Sequence, residues 1–323
     1  MHRSGGETMT TTLAWEAEAF RLYVLVAGGL LLLAGGALAV LTYAFKQKVS
    51  PVLLTYRGWL IMVPLVMGTI YFGRISIILG CTLVAIFGMK EFARATGLYR
   101  DWGMTGTAYI AIAAVGIASL VPDPFTGQPG WFGLFLGLPV YAITLLLIIP
   151  ILRNRTHGQL QTISLAIFGF VYIGWMFGHL GFLANTTHGI GYLLYLVFAV
   201  ELTDVAAFLC GKLFGHHPLR KAISPNKTWE GALGALAVSL ILPWVLRFSL
   251  PHFGAAQRLL TGIIVGIGGQ LGDLTISVIK RDLGIKDMGA AIPGHGGILD
   301  RIDSLMYTAP LFLRMVNFFY GMR

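Results

Sequence analysis

The feature that most constrains this chain is its recurrence of apolar runs, each close to the roughly 20 residues needed to cross a bilayer core. They continue to the end of the 323 residues, and mean hydropathy is +0.76. Only 11% of residues are charged, against about 25% in a soluble domain. In lipid every backbone N–H and C=O must be satisfied within the protein, and these runs lack the alternation of barrel strands, so helices are the expected solution. The predicted fold class is all-α: a polytopic transmembrane helix bundle of about ten spans. They lie near 21–45, 58–73, 75–89, 105–121, 131–152, 160–183, 189–211, 231–250, 259–279 and 305–321. The second and third are short and meet at Arg74, which suggests a tilted or re-entrant hairpin. The first is too long and too late for a cleaved signal sequence and reads as an anchor.

Alternating these spans places 16 of the 23 Lys and Arg in five loops on one side. The groups are Lys46, Lys48, Arg57; Lys90, Arg94, Arg100; Arg153, Arg155; Lys212, Arg220, Lys221, Lys227; and Lys280, Arg281, Lys286, Arg301. The positive-inside rule assigns those loops to the cytoplasm and both termini to the outside. The net charge of +9 therefore marks topology. No continuous basic stripe or recognition motif points to nucleic acid. Cys81 and Cys210 stand apart in apolar segments and read as packed thiols.

Acids are scarce, so their placement is informative. Eight of the fourteen fall between 201 and 303: Glu201, Asp204, Glu230, Asp273, Asp282, Asp287, Asp300 and Asp303. This divides the chain into N-terminal helices, 1–200, and a C-terminal region, 201–323, whose polar loops are 212–230 and 280–304. Asp204 and Asp273 lie within apolar segments. A carboxylate at that depth costs at least about 2.5 kcal/mol, so it faces a partner or a wet cavity. A structural ion pair would satisfy one such acid.

Asp300 and Asp303 share one helix face at i and i+3. Helix capping explains one of them, but not the glycines and His295 that precede both. Magnesium takes oxygen ligands, typically one or two carboxylates completed by water and substrate phosphates. Asp273 with Asp300 and Asp303 offers that set, with Asp204 and Glu230 as further candidates. The interleaved Lys and Arg suit a metal-bound polyphosphate. Gly296 and Gly297 let backbone N–H groups approach phosphate closely. The P-loop pattern is absent. In the earlier polar segment, Lys227 with Ser224, Asn226 and Thr228 could contact phosphate or a base. The alternative there is an ordinary turn with Thr228 as a helix cap. His216 and His217 read as solvated loop residues.

These residues carry a resemblance. From Ser277 to Asp303 the chain reads S-x-x-K-R-D-x-x-x-K-D-x-x-x-x-x-P-G-H-G-G-x-x-D-R-x-D. This resembles the signature of the phosphatidate cytidylyltransferases, the CDP-diacylglycerol synthases. D-x-x-A-F-x-x-G-x-x-F-G from Asp204 and S-P-N-K-T-W-E-G from Ser224 resemble two further stretches of that family. Phe208 stands where the family often has tyrosine, and Asn226 where it often has a basic residue.

The resemblance implies transfer of a cytidylyl group from CTP to phosphatidate, with Mg2+ as cofactor. Asp273 and Asp300 match the metal-binding acids, with Asp303 and Asp204 supporting. Lys280, Arg281, Lys286 and Arg301 would hold the triphosphate and lipid phosphate, and Lys227 and Ser224 the nucleotide or metal. His295 would donate a hydrogen bond to a phosphate. The expected setting is a multi-pass protein of a bacterial-type inner membrane with its site facing the cytoplasm. The expected partners are CTP and phosphatidate, with a homodimer left open as the assembly. Three rival readings stand beside it: a CTP-dependent lipid kinase, a cytidylyltransferase for another lipid phosphate, and a cation-coupled transporter using Asp204 and Asp273.

Overall fold

The computed structural model describes residues 14–43, 50–291 and 296–321. Apolar runs become helices throughout. In chain order they are α1 (Glu18–Tyr43), α2 (Ser50–Tyr71), α3 (Arg74–Ala95), α4 (Trp102–Leu120) and α5 (Phe132–Leu152). The next span is one helical path in three parts: α6 (Gln159–Phe168), a π-helical stretch (Gly169–Met176) and α7 (Phe177–Phe182). Then come α8 (Gly189–Phe214), α9 (Trp229–Val245), α10 (Ala255–Asp282), the short α11 (Leu299–Ile302) and α12 (Leu305–Tyr320).

Among the described residues, eight helical segments are long and apolar enough to cross a membrane. The other two of the ten expected segments, α9 and α12, are shorter at 17 and 16 residues and carry Pro243 and Pro310. The second and third spans are not short. Each is a 22-residue helix, and they meet at Gly73, whose φ of 80° makes the reversal. Apolarity alone truncated them because their outer turns carry Arg57, Lys90, Glu91 and Arg94. Lys46 and Lys48, of the first basic loop, lie outside the described residues.

The two ends of the bundle are built differently. At one end Arg74 fastens three elements: its Nε donates to Asn185 Oδ1 (2.6 Å), and its guanidinium donates to the Ser119 and Leu120 carbonyls (3.0 and 2.8 Å). Tyr23 and Ser249 are bonded at the same end. At the other end Asp101 caps α4 by accepting from Gly103 and Met104 N–H, and pairs with Arg153 at 2.7 Å. Burial opposes the Asp101 charge, but these donors outweigh it and hold the carboxyl below its usual range.

The segment 212–230, expected as a loop, contains an antiparallel hairpin of β1 (Pro218–Arg220) and β2 (Ser224–Thr228). Thr228 then caps α9 by accepting from Gly231 N–H at 3.1 Å, the alternative role its position allowed. The boundary at 200 falls inside α8.

Helix α10 is the hub of the C-terminal half. Gly262 and Gly266 meet Ser239 and Leu240 of α9, while Gly268 and Gly272 meet Thr308, Asp303 and Ser304. Two small-residue stripes on one helix let both neighbours approach backbone to backbone, the usual device for packing in lipid.

Candidate active site

Packing along α10 assembles the acids. Asp204 lies about 15 Å before the C-terminal end of α8, and Asp273 about 14 Å before that of α10, at 1.5 Å per residue. Both ends emerge at the hairpin, where Arg281 Nε donates to the Ile223 carbonyl at 3.1 Å. Gly272 brings α10 onto the Asp303 backbone, where a methyl group would overlap the Asp303 carbonyl oxygen. Asp204, Asp273 and Asp303 thus face one another closely enough for their charges to interact. Ser304 Oγ lies 3.4 Å from both Asp204 Oδ2 and Asp303 Oδ1. Asp204 is exposed, Asp273 is half-buried and Asp303 is buried.

Cations meet these acids from β2, the last turn of α10 and α11. Lys227 Nζ pairs with Asp273 Oδ2 at 2.5 Å, and Ser277 Oγ donates to Asp273 Oδ1 at 3.1 Å. Arg301 is exposed and within electrostatic range of Glu201 and Asp204. Lys280 is buried and pairs with Asp300 Oδ1 at 2.8 Å. The other Asp300 oxygen accepts from Met288 and Gly297 N–H at 2.9 and 3.0 Å. Both Asp300 oxygens are therefore occupied by donors.

Glu230 is engaged elsewhere. His217, which the sequence left as a solvated loop residue, pairs with it through Nδ1 at 2.6 Å and also donates its backbone N–H. Ser224 and Asn226 sit on β2, with Asn226 exposed. Lys286 is exposed in the loop after α10. Arg281 also reaches the Ile285 carbonyl at 3.3 Å. Gly296 adopts a left-handed φ of 78°, open to glycine at little cost. His295 lies outside the described residues.

Two elements were not legible as site components. The π-helical stretch carries buried Tyr172, whose hydroxyl donates to the Gly272 carbonyl at 3.3 Å and whose ring meets Tyr307. Thr275 Oγ1 is 3.3 Å from Tyr307 Oη, giving the acids a wall of hydroxyls. Glu91, at the end of α3, accepts the N–H groups of Ile298 and Leu299 at 3.0 and 2.9 Å. The π-helical distortion has no marker in the sequence, and Glu91, next to Lys90 and three residues before Arg94, falls there within a basic loop and drew no site reading.

The donors suit a hard divalent cation in kind, since carboxylate and hydroxyl oxygens converge and, among the described residues, no thiolate or imidazole joins them. Among the described residues no three His, Cys, Asp or Glu side chains stand close enough to cage an ion by themselves. Magnesium does not require such a cage, because waters and substrate phosphates normally complete its shell.

A phosphatidate cytidylyltransferase of Staphylococcus haemolyticus is 44% identical over 160 residues, 49% of this chain and 60% of that protein. One of Staphylococcus aureus is 43% identical over 161 residues, again 49% and 60%. The uncharacterized protein YnbB of Escherichia coli is 35% identical over 193 residues, 58% and 65%. The chain thus spans less than two thirds of the length of each of these relatives. The family model for the Cytidylyltransferase family matches residues 55–319, most of the chain. This multi-pass membrane protein belongs to the Cytidylyltransferase family.

Proposed function

We propose that this protein transfers a cytidylyl group from CTP to phosphatidate, giving CDP-diacylglycerol and pyrophosphate. The observation that carries the reading is the convergence of Asp204 on α8, Asp273 on α10 and Asp303 in the turn after α11, beside the Lys227–Asp273 pair. A transporter's ion site does not need the basic hairpin and glycine loop beside it. Relatives named phosphatidate cytidylyltransferase support the choice of lipid.

A phosphatidate oxygen attacks the α-phosphorus in line, a new P–O bond forms, and the bond to the β-phosphate oxygen breaks as pyrophosphate leaves. The attacking oxygen is already anionic, so no protein nucleophile or general base is required. The protein's contribution is positioning and charge neutralisation. Lys227, Lys280, Arg281, Lys286 and Arg301 neutralise triphosphate and lipid phosphate. Ser224 and Asn226 flank the nucleotide, and Gly296 and His295 offer donors to phosphate, whereas the Gly297 N–H is committed to Asp300.

Asp273, Asp303 and Asp204 would hold Mg2+. Asp300, whose oxygens already accept three donors, orders Lys280 and the adjoining loop. When bound, the metal would withdraw charge from the phosphate oxygens. Phosphatidate keeps its chains in lipid while CTP is aqueous, so the site opens to both, on the cytoplasmic face of a bacterial-type inner membrane.

The test is incubation of purified protein with phosphatidate vesicles, Mg2+ and CTP labelled at the α or γ position. The expected result is α-label in lipid, abolished by EDTA and by Asp273→Asn. Label only from the γ position would identify a lipid kinase. Transfer only to a different lipid phosphate would change the substrate, and no label in any lipid would sink the reading in favour of a transporter.

A further inference from the structure

The three N–H groups leading into α11 are all held by carboxylates. Gly297 donates to Asp300, and Ile298 and Leu299 donate to the two oxygens of Glu91, on α3. A methyl group on either Gly289 or Gly297 would run into the Glu91 carboxylate, so glycine at both positions lets the backbone close on it. Among the described residues Glu91 makes no ion pair. Its charge is balanced by these N–H groups, which makes both hydrogen bonds charge-assisted and stronger than neutral ones. Two donors aimed at two oxygens call for a carboxylate. A glutamine would offer one acceptor and turn an NH2 group toward an N–H.

Asp300, with its partner Lys280, and Asp303 follow this segment within one turn of helix. Where Ile298 and Leu299 are fixed therefore decides where those groups point. We propose that Glu91 is a positioning residue for cytidylyl transfer: from the N-terminal half of the chain it sets the start of α11, and through it the placement of Asp300, Lys280 and Asp303. The proposal rests on the cytidylyltransferase reading above.

The test compares wild type, Glu91→Gln and Glu91→Asp in phosphatidate vesicles. It measures hydrogen exchange at residues 297–299, the KM for CTP and the Mg2+ concentration giving half-maximal rate. For Glu91→Gln the expected result is faster exchange at Ile298 and Leu299, with KM for CTP or half-saturating Mg2+ raised about 10- to 100-fold, the usual cost of losing an outer-shell partner. Glu91→Asp, which keeps the charge on a shorter stem, should fall between the two and serves if the glutamine variant does not fold. A merely structural role would reduce the folded fraction and the maximal rate while leaving both constants at wild-type values. Unchanged exchange, or faster exchange with both constants unchanged, overturns the proposal. A wild type that transfers no cytidylyl group overturns instead the reading on which it rests.

Discussion

Lys227 Nζ and Asp273 Oδ2 stand 2.5 Å apart, joining the hairpin to the middle of α10. Both side chains are about one-third exposed, so the pair is within reach of water and of an incoming ligand. An ammonium and a divalent cation would compete for that carboxylate. Lys227→Met is therefore expected to bind Mg2+ more tightly without CTP, yet to transfer about 100-fold more slowly, since a charge aimed at the phosphates is lost. Metal titration and steady-state kinetics check this. An unchanged rate would remove Lys227 from the site.

The Lys280–Asp300 pair is buried on both sides. Removing one partner leaves the other charged and unpaired, at a cost of about 3–5 kcal/mol. Asp300→Leu is expected to lower the thermal midpoint in detergent far more than Lys227→Met does. Equal midpoints for the two variants would show that Asp300 does not organise the loop.

Gly272 is the closest approach of α10 to Asp303. Gly272→Ala must push the Asp303 backbone away, an overpacking cost of about 1–3 kcal/mol. Because Asp303 then moves relative to Asp273, half-saturating Mg2+ should rise, whereas Gly106→Ala, which meets open space, should leave both stability and metal dependence near wild type. A Gly272→Ala protein with wild-type metal dependence would contradict the proposed acid cluster.

The opposite end of the molecule should respond to pH. His188 and His252 pack with ring centroids 4.4 Å apart and planes tilted by 32°, beside a cavity of about 180 Å³ lined by Thr186, Tyr192 and Tyr320. Burial holds both imidazoles below the ordinary value of 6.5, and for His252 the neighbouring His188 adds to the effect. Tyr192 is bonded to the His252 ring, and Arg258 acts on nearby Tyr320. The folded state then binds fewer protons than the unfolded state, so stability present above pH 6.5 is lost as pH falls through the lowered values. Melting curves between about pH 8 and pH 5 should show a falling midpoint. The slope should flatten in a His188→Gln/His252→Gln double variant, and an equal slope in both proteins would contradict it.

The sequence by itself determined the helical bundle. Whether a run of residues can satisfy its backbone in lipid depends on its own length and apolarity, so α1 to α8 and α10 were readable one at a time. It also brought the acids and basic loops into view, because charges are costly in such a chain and each stands out against its neighbours. What it could not supply was partnership. Lys227 meeting Asp273, Glu91 reaching Ile298 and Leu299, Tyr172 lying over Gly272 and His217 taking up Glu230 all depend on helix rotation and close approach. Those are set where Gly262, Gly266, Gly268 and Gly272 let α9, α12 and the Asp303 turn close on α10. Run length and charge are properties of one segment, whereas a hydrogen-bond partner is decided by the packing of two, and only the tertiary structure carries that information.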